Sequence, residues 1–461
     1  MTISEDRDAR SAPTEAPSAE SPAVIDLRGP HAEATGPPAE GVGAPVAATL
    51  EPLVEGLLGT PTVRISFWDG SALGPEHGPG VLHVRSPEAI RHLAWAPGEL
   101  GAGRAFVSGE IDFEGDILDL IEALRPSGRR LRHSVLAAPA AIRAARRLGV
   151  LDRPPAVPPE ETAPRGRLHS PRRDARAISH HYDVGNDFYR LVLGEAMTYS
   201  CARFVSPDSS LADAQAAKHE LVCRKLGLHE QPGMRLLDVG CGWGSMAMHA
   251  ARHHDARVVA ITISAQQAEL ARRRVTEAGL GGKVEVRLQD YRELGRERFD
   301  AISSIGMFEH VGSRRIGEYF TTLRGLLRPT GRLLNHAISS VGGSRLPRRS
   351  FANRYVFPDG ELIDVGDVVL AMEDAGFEVR DVESLREHYA ETLRHWVRNL
   401  QAHWDEAVAL VGEARARVWL LYMSGSAVGF EDNGLAIHQV LGVVPTADGK
   451  SGMPPTRASW G

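Results

Sequence analysis

A chain of 461 residues with 43% hydrophobic side chains has room for two or three domains and a sizeable core. Its 53 Lys and Arg against 59 Asp and Glu leave a formal net charge of -6, a total that does not point to a nucleic-acid partner and leaves any electrostatic partner to local patches. Three cysteines, Cys201, Cys223 and Cys241, lack paired close spacing, which argues against a disulfide framework and a zinc cluster and for a reducing cytoplasm.

The start, MTISEDRDAR, lacks the basic-then-apolar order of a secretory signal, and no apolar run approaches the roughly 20 residues needed to span a bilayer. Residues 1–48 are Pro, Ala, Glu, Ser and Gly with almost no large apolar side chains, the composition of a disordered tail. Over 49–150 a small α+β domain is expected: VRISFWDGSAL and GVLHVRS read as short strands, and PEAIRHLAW as a helix opened by Pro87. Its last part, RRLRHSVLAAPAAIRAARRLGVL, carries Arg129, Arg130, Arg132, Arg143, Arg146 and Arg147 without a carboxylate. Partly helical and broken near Pro139, such a stretch suits an anionic membrane surface, although a solvated linker helix has the same composition. Residues 151–176, with DRPPAVPPEETAPRGR, read as a Pro-rich linker, and 451–461 as a flexible C-terminus.

Between 177 and 450, apolar strand-like runs alternate with helical patterns. MRLLDVG, RVVAITI, VEVRLQD, FDAISSI and GRLLNHAI come first, and FEVRDVESL and LAIHQVLGV follow around a long helical stretch. That rhythm predicts an α/β fold with a mostly parallel, doubly wound sheet.

The segment LLDVGCGWGSMAMHAA ends a strand at Asp238, turns on Gly240, Gly242 and Gly244, and opens a helix near Ser245. Glycines at such a turn let the backbone approach a ligand. The spacing is G-x-G-x-G rather than the G-x-G-x-x-G of dinucleotide sites, which favours an S-adenosylmethionine (SAM) methyltransferase. The next strand lacks a terminal acid for a dinucleotide ribose and offers Thr262, Ser264 and Gln267 instead; the third ends at Asp290 and Tyr291, a polar group and an aromatic face for an adenine.

With these blocks in view the chain resembles the cyclopropane-fatty-acyl-phospholipid synthase family, which includes mycolic-acid cyclopropane synthases and fatty-acid methylene-branching methyltransferases. The resemblance rests on HYDVGNDFYRLVLGEAMTYSCARF, LLDVGCGWG, ITISAQQ, GMFEHVG, LLNHAI and HYAETLRHW, in register from His181 to about Val444. It implies a seven-stranded methyltransferase sheet from about Ala177 onward, and adds Tyr199 and Ser200 to the cofactor residues. It further implies that Cys201, Glu309, His336, the backbone at Ile338, and Tyr389 hold a bicarbonate ion beside the reactive methyl.

The implied reaction is methyl transfer to the cis double bond of an unsaturated phospholipid acyl chain. An alkene has no proton to lose beforehand, so its π bond attacks the methyl directly and a carbocation results. Aromatic faces such as Tyr389, Phe308 or Phe188 could stabilise that cation while a fixed base removes a proton. Loss from the added methyl closes a cyclopropane; loss elsewhere leaves a methylene or methyl branch. Taken singly, Cys201 reads as a buried apolar residue, His336 as a core histidine, Glu309 as a helix start and Tyr389 as core. One departure stands in SGSAVGF, where Ser426 replaces a cysteine of many relatives. The expected setting is cytoplasmic, peripherally associated with the inner face of the membrane, with homo-oligomerisation allowed. A methyltransferase of small soluble amines or hydroxyls, and a lipid-binding module without catalysis, are the competing readings.

Overall fold

A computed structural model describes residues 44–124, 131–162, 184–344, 346–347, 349–358 and 360–460. The expected tail lies outside them up to residue 43, as do Arg129, Arg130 and the stretch 163–183.

The N-terminal module opens with the helix Val46–Leu58 and forms a four-stranded sheet from β1 (Arg64–Phe67), β2 (Ala72–Leu73), β3 (Gly80–Val84) and β4 (Ile111–Gly115), in the order β2-β1-β3-β4. The helix at Pro87 runs to Trp95, with the Ser86 side chain accepting from the Glu88 N–H at its start. The helix Leu131–Arg147 passes through Pro139 without the expected break. Packing against Val46–Leu58 outweighs the one hydrogen bond that the proline removes.

The second sheet holds β5 (Arg235–Val239), β6 (Arg257–Thr262), β7 (Val284–Leu288), β8 (Phe299–Ile305), β9 (Leu327–Ser339), β10 (Glu378–Ser384) and β11 (Ala436–Val443), in the order β10-β11-β9-β8-β5-β6-β7. All seven expected strands are present. Pairing is parallel from β9 to β7 and antiparallel where β11 enters between β9 and β10. Both faces are covered, and the period of two along each strand explains it. Leu236 joins Val258, Ala260, Ala301 and Leu334 in one core, and Leu237 joins Val259, Ile261, Ile302 and Leu333 in the other.

A third core links the N-terminal module to the helices Arg386–Ala402 and Glu413–Glu431. Buried Arg417 reaches Asp112 on β4 at 3.3 Å, and its guanidinium lies over Phe106. The Pro-rich segment is pinned where it is described: the Glu161 carboxylate is fully buried and pairs at 2.6 Å with both Arg104 and Arg354. The C-terminus, expected to be flexible, ends in a short turn that buries Trp460, and Arg457 pairs with Asp381 at 3.0 Å. Among the described residues no helix is long and apolar enough to cross a membrane.

Candidate active site

Parallel strands leave their carboxyl ends open at one edge, and two adjoining cavities lie there. The first is lined by Val239, Gly240, Thr262, Gln267, Asp290 and Tyr291 among others, with a volume of about 780 Å³ that includes the solvent at its mouth. Gly240 takes φ 76°, and a Cβ there would stand 2.9 Å from Met307 Cβ, so the turn needs glycine for its conformation and for its closeness to the next loop. Gly242 takes φ 53°, and a Cβ there would meet no protein atom within 4 Å.

Thr262 Oγ1 donates to Gln267 Oε1 at 2.9 Å, which fixes both at the rim. Ser264 accepts from the Gln267 N–H and caps the helix Ala265–Glu277, so its hydroxyl is engaged locally. Asp290 receives Arg292 on both carboxylate oxygens, a pairing that holds it below the usual carboxylate range despite burial. Asp238 sits beneath the turn rather than in the cavity: Oδ1 accepts from Ser303 at 2.7 Å, Oδ2 has no partner, and burial pushes its carboxyl up to about 6.

The second cavity, about 930 Å³ on the same measure, is lined by Cys201, Glu309, His336, Ile338 and Tyr389 together. These residues come from the loop before the helix Leu211–Leu226, the turn after β8, the end of β9, and the helix Arg386–Ala402. The two cavities share Gly306 and His310 in their walls.

Glu309 Oε1 accepts from the Ile338 N–H at 2.8 Å, whereas its buried Oε2 has no partner. Burial pushes this carboxyl up to about 7, against the Ile338 hydrogen bond that favours its charge. His336 is fully buried, which drives its pKa well below the usual value and leaves the ring neutral. The Gln439 amide nitrogen lies 3.3 Å from its Nδ1, an arrangement that suits the tautomer protonated at Nε2, a buried atom with no partner. Cys201 is a neutral thiol, raised by burial and directed at the carbonyl of Ala202 at 3.1 Å.

The aromatic surface of this cavity differs from expectation. Phe308 packs in the core against Tyr319 and Phe320, and Phe188 against Tyr189 and Trp419. Tyr389 lines the cavity as expected, and Tyr199, Phe357, Tyr422 and Phe430 take the places of the other two. Ser426 lines it too, and hydrogen-bonds the Tyr422 hydroxyl, which also bonds Tyr199.

Lys218 escaped the sequence reading. It is fully buried, its Nζ donates to Ser200 Oγ at 2.9 Å, and Gln215 Nε2 donates to the Ser200 carbonyl at 2.8 Å. Burial lowers its pKa to about 8, while the nearby Asp238 carboxylate opposes that shift. The signal was available: Gln215 and Lys218 fall at helical spacing with Ala214, Leu221 and Val222 on the stripe that faces inward.

The sequence profile described as mycolic acid cyclopropane synthetase matches residues 169–440, more than half of the chain. The chain belongs to the mycolic acid cyclopropane synthetase family. It is similar to a probable fatty acid methyltransferase of Mycobacterium tuberculosis, 43% identical over 415 residues that cover 86% of this chain and 94% of that protein. It is also similar to the cyclopropane-fatty-acyl-phospholipid synthase of Escherichia coli K12, at 37% identity over 59% of this chain and 69% of that one. Among solved structures, mycolic acid cyclopropane synthase CmaA1 complexed with SAH and CTAB aligns at 36% identity with a TM-score of 0.55, covering 58% of this chain and 98% of that one. Like others in this family, the chain is a SAM-dependent methyltransferase.

Proposed function

We propose that this member of the family transfers a methyl group to the cis double bond of an unsaturated acyl chain on a membrane phospholipid, giving a cyclopropane or a methylene-branched product. One observation carries the reading. Two buried polar atoms without protein partners, Glu309 Oε2 and His336 Nε2, stand in the wall of one largely apolar and aromatic cavity beside the glycine turn. Chemistry on an alkene needs that combination: apolar room for the acyl chain, and a fixed proton acceptor in a place that excludes water.

When bound, SAM supplies the electrophilic methyl group. Gly240, Thr262, Gln267, Asp290 and Tyr291 would hold its nucleoside end, and Tyr199 and Ser200 the other, with Lys218 fixing the Ser200 hydroxyl from behind. Asp238, Gly242, Gly244 and Ser264 would shape the turn and the helix start. Tyr199, Tyr389, Tyr422 and Phe430 supply π surface for positive charge on the substrate. The proton released from the substrate ends on Glu309, whose carboxyl ionises close to neutrality.

Bicarbonate fits the cavity as a basic anion. His336 Nε2–H is an unengaged donor, and a carboxyl titrating near 7 donates to an anion when protonated and accepts from its hydroxyl when ionised. Cys201, Tyr389 and the backbone at Ile338 would complete the cradle, although the Ile338 N–H is given to Glu309 in this structure. Membrane contact is assigned to the N-terminal module, where Arg143, Arg146 and Arg147 are exposed around Ile142, itself 49% exposed. Relatives aligned across this module are probable fatty acid methyltransferases of M. tuberculosis and Pseudomonas putida, which supports an acyl-chain acceptor.

The test is mass spectrometry of lipids from a host that expresses the chain and is fed methyl-labelled methionine. Label in acyl chains as an added CH2 or CH3, with loss of unsaturated precursor, is the expected result. Label confined to water-soluble amines or hydroxyls would overturn the proposal.

A further inference from the structure

Outside both cavities, the helix Leu211–Leu226 and the helix Ser245–His253 meet through another group of donor side chains. Cys223 Sγ and one ring nitrogen each from His249 and His254 all lie within 4.8 Å of one another. Glu220, one turn before Cys223 on the same helix face, sets its Oε2 at 2.9 Å from His254 Nε2 and 3.3 Å from His249 Nε2. The first helix and the end of the second thus bring a thiol and two imidazoles together, and the Glu220 carboxylate, whose other oxygen pairs with Arg224 at 2.7 Å, hydrogen-bonds both rings. Cys223 is buried, and the side chains of His249 and His254 are only 13% and 7% exposed.

We propose that Cys223, His249, His254 and Glu220 form a zinc site that staples the helix carrying Gln215 and Lys218 to the helix that follows the glycine turn. Thiolate, imidazole and carboxylate together are the donors that tetrahedral zinc takes. With ordinary Zn–S and Zn–N lengths, the ligand atoms of such a site stand roughly 3.3–3.6 Å apart, so closure from the present spacing needs side-chain shifts of about 1 Å. Binding displaces the Cys223 thiol proton to solvent and creates the Zn–S bond with no change of oxidation state. No member of the cluster lines either cavity, so the staple acts on the scaffold and not on the reacting groups. The absence of close Cys spacing argued against a zinc cluster in the sequence; the fold supplies the missing ligands from a second helix beyond β5.

Cobalt(II) makes the site visible. Metal-free full-length protein titrated with Co²⁺ should take up one equivalent, with the visible bands of four-coordinate cobalt and a thiolate charge-transfer band, both erased by Zn²⁺. Cys223→Ser should remove the charge-transfer band, and His254→Asn, checked for folding by circular dichroism, should weaken Co²⁺ binding roughly tenfold or more. Zinc should raise the melting temperature of the parent by more than that of His254→Asn at the same concentration. Absence of a stoichiometric four-coordinate spectrum in the parent, or parental metal affinity in His254→Asn, overturns the proposal. Methyl transfer by the same preparations reports separately on the catalytic reading.

Discussion

Replacing Glu309 by Gln separates a catalytic carboxylate from a structural one, because the two roles predict opposite changes in stability. The amide keeps the oxygen that receives the Ile338 N–H and stays neutral at every pH. In the parent, burial raises the carboxyl from its usual 4.5 to about 7. Below 4.5 the folded and unfolded chains are both protonated, and the shift has no effect. Between 4.5 and 7 the unfolded chain releases a proton that the folded chain retains, so parental stability falls as pH rises, and above 7 the full cost stands. At about 1.4 kcal/mol per pH unit, that span amounts to roughly 3 kcal/mol, an upper figure because burial of this size is relaxed by solvent and neighbouring dipoles. Glu309→Gln is therefore expected to match the parent near about pH 4 and to be more stable near about pH 8 by up to that amount, measured by urea denaturation. Turnover on vesicles of unsaturated phospholipid should nonetheless drop about 10²- to 10⁴-fold, with cofactor affinity by calorimetry unchanged. The parental kcat should rise with pH through about 7 as the carboxyl ionises, and the variant should lack that limb. Equal destabilisation at both pH values, parental turnover, or lost cofactor binding would each refute the assignment.

His336→Ala and Tyr389→Phe should slow turnover in the same class, with double-mutant effects smaller than the sum, and stripping bicarbonate from the buffer should slow the parent; additive effects on vesicle assays would separate these residues. Lys218→Met removes the charge-assisted donor behind Ser200, about 2 kcal/mol, and should raise the cofactor Kd roughly 30-fold in calorimetry with little change in kcat. Gly242→Val puts a branched side chain at φ 53° and into the space above the turn, and should weaken cofactor binding in a protein that remains folded by circular dichroism. Arg143, Arg146 and Arg147 changed together to Gln should reduce sedimentation with anionic vesicles and flatten its salt dependence, while activity on detergent-dispersed lipid suffers less.

The central strands of the large sheet were legible because they are apolar runs closed by turn residues, and because successive positions such as Leu236 and Leu237 both had to be apolar in a sheet covered on two faces. The glycine turn was legible for a similar reason, since its spacing is a local property. Long-range placement was harder to read. Nothing near Tyr422 or Phe430 says that their helix lines the second cavity, whereas Phe308, beside Glu309 in sequence, is drawn into another core with Tyr319 and Phe320. Lys218 marked itself only as a charge on an inward stripe, and the partner that makes sense of it, Ser200, lies on the preceding loop. The segment 451–461 reads as a flexible C-terminus because a short terminal stretch has little periodicity, yet the Trp460 ring packs within reach of Lys225 and Arg457.

The core that runs from Phe106 and Phe113 through Phe351 to Trp419 and Phe430 has a consequence for how the molecule comes apart. Gly103 leaves so little room that a Cβ would stand 2.3 Å from the Phe351 ring, and the Phe351 N–H is held by Glu99 at 2.6 Å. Ala352 and Phe357, on the other side of that same short segment, form part of the second cavity. The N-terminal module and the cavity wall are therefore expected to melt as one cooperative unit. Calorimetry should record their loss in a single transition, and hydrogen exchange in the helix Phe351–Tyr355 should track opening of the N-terminal sheet, not of the strands β5 to β7.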